Sequence, residues 1–178
     1  MRKIDEQALL EYLQMLKEEK SIEFKSSFDW HEVNSRKIKE EVIKAIIAMS
    51  NIPNGGVIIL GIKEDNRSKR KLTDGITLSQ IDWIEKNFEQ IESDVHTYCS
   101  EYPKFEFVYG ETDKLPSNKL TAFVLIFVKE FSIRPVICKT TGKEVDDKGK
   151  KILLEGDLYT RSYSGGWSSK KAATRELE

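Results

Sequence analysis

The chain has few of the sequence features that are typical of disulfide-rich, zinc-binding or membrane proteins. Its 178 residues include two cysteines, Cys99 and Cys138, which are far apart in sequence and form no CxxC pattern. This spacing argues against a zinc site or a disulfide framework and suits a reducing cytoplasm, with both cysteines as small core residues. No apolar run approaches the roughly 20 residues needed to span a bilayer, and the charged N-terminus lacks a signal-peptide core. We therefore expect a soluble, cytoplasmic protein with no membrane partner.

An excess of charge of either sign is also missing. The 29 Lys and Arg residues nearly balance the 30 Asp and Glu residues, so the net charge is −1. A polyanion would therefore be attracted only by local cationic clusters. The 39% hydrophobic content is enough to bury one core. We expect a single domain over residues 1–178, either complete or the N-terminal domain of a longer protein.

Motifs of several enzyme classes are missing too. Gly55, Gly56 and Gly61 are not followed by Gly-Lys-Ser/Thr, so they indicate a turn into a strand instead of a phosphate loop. There is no GxSxG motif and no Cys/His pairing, and neither His31 nor His96 has a second ligand at metal-binding spacing. Hydrolases built on covalent nucleophiles are therefore disfavoured.

Hydrophobic periodicity predicts helices and strands along the whole chain. Helices are expected at about 5–18, 35–50 and 79–98, and a closing helix from Ser168 to Leu177. Strands are expected at 21–25, at 57–62 as a buried central strand, and later at 105–109, 120–128, 135–139, 151–154 and 157–161. Residues 51–56 should form a turn, because Pro53 cannot continue the second helix.

The strand predicted at 21–25 alternates apolar and polar side chains. Ile22 and Phe24 should face a core, and Glu23 and Lys25 should line the opposite face. Glu23 is thereby placed where a polar side chain can do chemistry.

If strands 21–25 and 57–62 are neighbours, Glu18, Glu23 and one of Glu64 or Asp65 would meet at one end of the sheet. Three carboxylates there would suit Mg²⁺ or Mn²⁺, which can bind and polarise a phosphodiester. Lys25 would then stabilise charge in the transition state. Spacing alone leaves a second interpretation open, in which the glutamates are ordinary polar residues of a helix end and an amphipathic strand.

Cationic clusters supply candidate contacts to polyanions. Arg67, Lys69 and Arg70 occupy one predicted loop, and Arg161 lies among tyrosines near the C-terminus. Lys and Arg contact phosphates, and exposed aromatic side chains can stack on unpaired bases. The other interpretation is a solvated loop, since neighbouring acids such as Asp65 weaken the local field.

Three segments follow one another in a characteristic order: Glu18 with Glu23-Phe24-Lys25, the helix end Ala45–Asn51 followed by Gly55–Asp65, and the late strand Gly156–Ser164. Taken together, they resemble the Schlafen AlbA_2 family. The resemblance covers most of the chain, from about Glu18 to Ala173.

This resemblance implies an α+β fold, with a mixed, mostly antiparallel sheet packed by three main helices. It also implies a nucleic-acid-binding domain, which in some members is a metal-dependent endoribonuclease that cuts structured RNA such as tRNA. Glu18 and Glu23 match the two glutamates of the family. The third acidic position of the family falls on Lys63, with Glu64 and Asp65 one and two positions later.

The leading expectation is therefore a Schlafen-type endoribonuclease, dependent on Mg²⁺ or Mn²⁺, acting in stress response or phage defence. Glu18, Glu23 and Asp65 would be the metal ligands and catalytic residues, with Lys25 as a catalytic helper. The residues expected to contact nucleic acid, RNA in preference to DNA, are Lys25, Arg67, Lys69, Arg70 and Arg161. The alternative is a non-catalytic DNA- or RNA-binding module or transcriptional regulator. The resemblance also implies a homodimer or a larger assembly.

Overall fold

The computed structural model describes residues 1–14, 19–64, 71–115, 119–163 and 167–172. Its helices are α1 (Glu6–Gln14), α2 (Arg36–Ser50), α3 (Leu78–Lys86) and α4 (Phe88–Thr97). Its strands are β1 (Arg2–Lys3), β2 (Ile22–Lys25), β3 (Gly56–Leu60), β4 (Ile62–Glu64), β5 (Lys71–Thr73), β6 (Phe105–Thr112), β7 (Thr121–Val128), β8 (Tyr159–Tyr163) and β9 (Trp167–Lys171). No helix in these ranges is both long and apolar enough to cross a bilayer.

Five strands form the main sheet, in the order β1-β6-β7-β3-β2. The outer pairs β1–β6 and β2–β3 are parallel, and the pairs that include β7 are antiparallel. Two antiparallel hairpins, β4–β5 and β8–β9, form separate small sheets. The expected α+β class with a mixed, mostly antiparallel sheet is confirmed.

Apolar side chains cover both faces of the main sheet. On one face, residues of α2, α3 and α4 pack against Ile58, Leu60 and Ile126. On the other face, residues of α1 pack against Ile22, Phe24 and Ile59. The continuous apolar run predicted at 57–62 is therefore buried on both sides, as expected for a strand between two layers of helix.

The turn from α2 to β3 has the backbone conformation that its sequence predicts. Asn54 and Gly55 both have positive φ, at 66° and 67°. A Cβ atom on Gly55 would lie 2.0 Å from the Val128 carbonyl oxygen, so only glycine fits. Asn51 links this turn to distant segments, because its side-chain amide donates to the carbonyls of Val136 and Tyr159 at 2.7 and 2.9 Å.

The helix predicted over 79–98 is in fact two helices. Asn87 separates α3 from α4, and both its backbone N–H and its side-chain amide donate to the carbonyl of Trp83, at 3.0 and 2.8 Å. The side chain thus caps the last turn of α3, as asparagine does at helix ends.

Three further expectations about elements are wrong. The helix expected to start at Ser168 is instead strand β9, whose pairing with β8 outweighs the local helical pattern; residues 173–177 lie outside the described part of the chain. The strands expected at 135–139 and 151–154 make only isolated bridges. The run 57–62 breaks at Gly61, where φ is 104°, and the middle strand of the main sheet is β7, not β3.

Candidate functional site

Glu23 lies on β2 and faces away from the α1 side of the sheet, as the alternation predicts. The β8–β9 hairpin covers it, and only 4% of its surface remains exposed. Its Oε1 atom lies 3.0 Å from Lys25 Nζ. Its Oε2 atom accepts hydrogen bonds from Arg161 Nη1 and, at 2.6 Å, from Ser169 Oγ. Both oxygens of the carboxylate therefore have cationic or hydroxyl donors.

Arg161 holds the start of β2 in place. Its side chain is buried, and its guanidinium donates to the backbone carbonyls of Glu19, Lys20 and Ile22 at 3.0, 3.2 and 2.9 Å. Together with the contact to Glu23, these bonds tie β8 to the turn before β2. Arg161 therefore holds protein segments together and does not face solvent. This burial differs from the expected role of Arg161 in contacting phosphates.

The alternation of β8 was a usable signal for this burial. Tyr159 and Arg161 lie two positions apart and therefore share a face of the strand. Tyr159 is 2% exposed, and Arg161 follows it into the interior with 3% exposed. The sequence gives no comparable signal for Ser169, which reaches Glu23 from β9.

Lys25 and Glu41 extend the polar contacts from Glu23 toward the surface, and Lys44 interacts electrostatically with Glu23. Lys25 Nζ lies 3.4 Å from Glu41 Oε2 as well as near Glu23. Lys44 Nζ lies 5.0 Å from the centre of the Tyr159 ring, a cation–π contact. We call Glu23, Lys25, Glu41, Lys44, Arg161 and Ser169 the charged cluster.

The cations of the charged cluster decide the protonation state of Glu23. Burial raises the pKa of this carboxyl, but Lys25 and Arg161 lower it, and the net pKa lies below the ordinary value of 4.5. Burial lowers the pKa of the Lys44 ammonium, and the charge of Glu23 opposes that effect. Glu23 is therefore ionised at neutral pH.

A second buried acid, Glu40, has a structural role. It is 5% exposed, and its Oε1 accepts the backbone N–H groups of Lys143 and Glu144 at 2.7 and 3.3 Å. Gly142 packs so closely that a Cβ atom there would lie 2.2 Å from Glu40 Oε2. Glu40 thus anchors the long loop before β8 onto α2.

Residues 18–163 match the family model described as Schlafen, AlbA_2. The chain belongs to this family. The match confirms the resemblance drawn from the sequence motifs, and it includes the charged cluster up to Arg161. Membership associates this Schlafen AlbA_2 chain with nucleic-acid-related function.

Solved structures give the Schlafen AlbA_2 chain remote neighbours. The DIP2311 protein from Corynebacterium diphtheriae is 14% identical with a TM-score of 0.48, over 93% of this chain and 26% of that one. The N-terminal domain of a RecG-related protein from Nitrosomonas europaea is 18% identical with a TM-score of 0.48, over 84% of this chain and 89% of that one. Neither likeness bears on function, and no curated protein matches.

The predicted metal ligands of the Schlafen AlbA_2 chain are only partly described. Glu18 and Asp65 lie outside the described residues. Within the described ranges, no three Asp, Glu, His or Cys side chains are placed to share a metal ion. A divalent cation at Glu23 would have to displace Lys25, Arg161 or Ser169 from its oxygens. The described residues therefore do not by themselves fit a divalent metal.

Lys63, at the position where the resemblance places the third acid, lies on a hairpin of its own. It is exposed on β4 and pairs with Leu72 of β5, while Glu64 pairs with Lys71. The predicted contact residues Arg67, Lys69 and Arg70 belong to the connection between these strands, outside the described residues. We call residues 62–73 the cationic hairpin.

Proposed function

We propose that this chain is a nucleic-acid-binding domain, selective for RNA over DNA, that contacts phosphates through the cationic hairpin. One observation carries the proposal. The densest run of cations in the sequence falls between and within β4 and β5, and these two strands pair with each other and not with the main sheet. The preference for RNA rests on the family resemblance alone.

Charge density supports this choice of surface. Residues 63–71 contain five Lys or Arg against two Asp or Glu, a local charge of +3 in a chain whose net charge is −1. Phosphate contacts depend on such local clusters, because the field of distant charges is screened within about 10 Å at 0.1 M salt. Lys63 and Lys71 lie on the paired strands β4 and β5, and Arg67, Lys69 and Arg70 fall between these strands in sequence, outside the described residues.

A competing groove has weaker electrostatics. A groove of about 980 Å³ opens beside the turn between α2 and β3. Its cationic lining residues, Arg2, Lys20 and Lys129, are opposed by Glu106 and Glu130. Because these charges nearly cancel, the groove attracts a polyanion only weakly.

Fluorescence anisotropy with labelled tRNA, single-stranded RNA and duplex DNA tests the proposal. The triple variant Arg67→Ala, Lys69→Ala, Arg70→Ala should weaken RNA binding by about tenfold or more, because each lost phosphate contact reduces counterion release. The matched control is Lys104→Ala, Arg134→Ala, Lys139→Ala, which removes the same charge from exposed positions elsewhere. Equal weakening by the two triple variants would refute the hairpin as the contact.

Metal-dependent endoribonuclease activity is the second candidate function. Glu18, Glu23 and Asp65 would be the ligands of Mg²⁺ or Mn²⁺, and a stress response or phage defence is the setting that the resemblance implies. The observation in its favour is the pairing of an ionised Glu23 with Lys25 on one strand face. A carboxylate must be ionised to bind a metal.

Cleavage of tRNA with Mn²⁺ or with EDTA tests this candidate. Glu18→Gln and Asp65→Asn are better variants than Glu23→Ala, because Glu23 holds Arg161 and its loss can reduce activity through unfolding. The candidate requires cutting that stops with EDTA and falls in both variants. Cutting that persists in EDTA, or no cutting by the wild type, would exclude it.

We also propose, from the resemblance, that the chain acts as a homodimer or within a larger assembly. Light scattering on the purified chain, with and without RNA, measures its mass. A monomer mass in both conditions would contradict the homodimer.

A further inference from the structure

The two cysteines of the chain lie directly opposite each other. Cys99 follows α4, Cys138 lies between β7 and β8, and the two form an isolated antiparallel bridge. On either side of the pair, Ser100 N donates to the Ile137 carbonyl at 2.8 Å, and Lys139 N donates to the Tyr98 carbonyl at 2.9 Å. Cys99 and Cys138 are therefore a non-hydrogen-bonded pair of the bridge.

This kind of pair brings side chains close. Its Cα atoms are typically about 4.5 Å apart, and both side chains point to the same side of the ladder. Disulfides form across Cα separations of about 4.4 to 6.8 Å. The backbone pairing of Cys99 and Cys138 thus meets the geometric condition for a bond between their sulfur atoms.

Both sulfur atoms are thiols set in the interior. Cys99 is 3% exposed and Cys138 is 0% exposed. The Cys138 thiol donates to the Thr140 carbonyl at 3.3 Å. Burial raises the pKa of Cys99 to about 12 and also raises that of Cys138, and the neighbouring thiol adds to the shift at Cys99. Little thiolate is present at neutral pH, so peroxide reacts slowly with these buried thiols, and the pair stays reduced unless an oxidant is added.

We propose that Cys99 and Cys138 form an oxidative modification site, where a peroxide converts the two thiols into one intramolecular disulfide. One thiol sulfur takes an oxygen from the peroxide and becomes a sulfenic acid, and water leaves when hydrogen peroxide is the oxidant. The second sulfur then attacks the first, the S–O bond breaks, and the displaced hydroxyl leaves as water with the proton of the second thiol. The two thiols lose two electrons and the peroxide gains them.

The disulfide would stabilise the position of the segment that leads into β8, the strand that carries Arg161 of the charged cluster. Cys138 N donates to the Asp157 carbonyl at 2.9 Å, and Gly156 N donates to the Cys138 carbonyl at 2.8 Å. Ile137 bridges to Leu158, one residue before β8 begins. A covalent link from Cys99 to Cys138 therefore joins the end of α4 to the segment that leads to Arg161. This inference is independent of nucleic-acid binding.

Mass spectrometry of the native chain after treatment with hydrogen peroxide tests the proposal. The treated protein is unfolded and alkylated, and its intact mass is compared with that of untreated protein. We expect a monomer that takes up no alkyl groups and has lost about 2 Da, with one cross-linked peptide pair containing Cys99 and Cys138. The melting temperature of the oxidised monomer should rise by several degrees, because the disulfide restricts the unfolded chain.

The variants Cys99→Ser and Cys138→Ser are the matched controls. Each keeps one thiol and should show no loss of about 2 Da under the same treatment. Disulfide-linked dimers or sulfinic acids as the main wild-type products would overturn the proposal, as would two thiols that remain open to alkylation after peroxide treatment.

Discussion

The ion pair between Glu23 and Arg161 is the contact on which most of the charged cluster depends. Both side chains are buried, and each neutralises the charge of the other. We predict that Arg161→Met or Glu23→Gln alone lowers the free energy of unfolding by about 3–5 kcal/mol, because each leaves a partner buried without its counter-charge. Urea unfolding at neutral pH measures the change.

The double variant Glu23→Gln, Arg161→Met separates this pairing from general packing. It should cost clearly less than the sum of the two single variants, because no unpaired charge remains in it. Additive costs would contradict the view that the two residues act as a pair.

Stability should also depend on the ionisation of Glu23. Its folded pKa lies below 4.5, so the ionised carboxylate favours the folded state. This contribution is fully present above about pH 4.5 and is lost as the pH falls through the folded pKa, since the unfolded chain then binds the proton more readily. We predict that the free energy of unfolding falls less between pH 6 and pH 3 for Glu23→Gln than for the wild type. Parallel pH curves would rule this out.

The sequence predicts where some of these residues lie and not where others lie. The alternation of β2 placed Glu23 on the face opposite Ile22 and Phe24, as observed, because strand geometry is local. The partners Arg161 and Ser169 come from a hairpin more than a hundred positions away. Nothing local to Glu23 predicts which distant side chain will meet it.

The turn between α2 and β3 sets the position of β3 within the sheet. We predict that Gly55→Ala destabilises the fold by about 3 kcal/mol or more, because it combines positive φ with a clash against the Val128 carbonyl oxygen. Gly156→Ala is the control, since Gly156 also has positive φ, at 84°, but nothing lies within 4 Å of the added atom. It should cost only about 1 kcal/mol. Equal melting temperatures for the two variants would contradict the clash.

Elements defined by a long periodic pattern were the predictable ones. Helix α2 begins and ends within one residue of its expected bounds, because its apolar stripe and the Pro-Gly turn are local signals. The break at Asn87 coincides with one side chain that caps the last turn of α3. Strand β9 depends on its partner β8. The hydrophobic periodicity of the sequence predicts neither effect.

At the scale of the whole molecule, pairing between distant segments determines the contacts that the sequence alone does not predict. The parallel pairing of β2 with β3 and the opposition of Cys99 and Cys138 are both contacts between segments far apart in the chain. The family and fold class were predictable because ordered motifs carry them. The contacts of Glu23 were not, and they add a structural role to the proposed role of Glu23 as a metal ligand.

The salt dependence of RNA binding tests the central claim most directly. In a plot of log affinity against log salt, each phosphate contact contributes a slope of about −0.7 to −0.9. Replacing Arg67, Lys69 and Arg70 by Ala should make the slope shallower by about 2 to 3, while the control triple variant at Lys104, Arg134 and Lys139 should keep the wild-type slope. A hairpin variant with the wild-type slope, or a control variant that loses it, would contradict the assignment of phosphate contacts to the cationic hairpin.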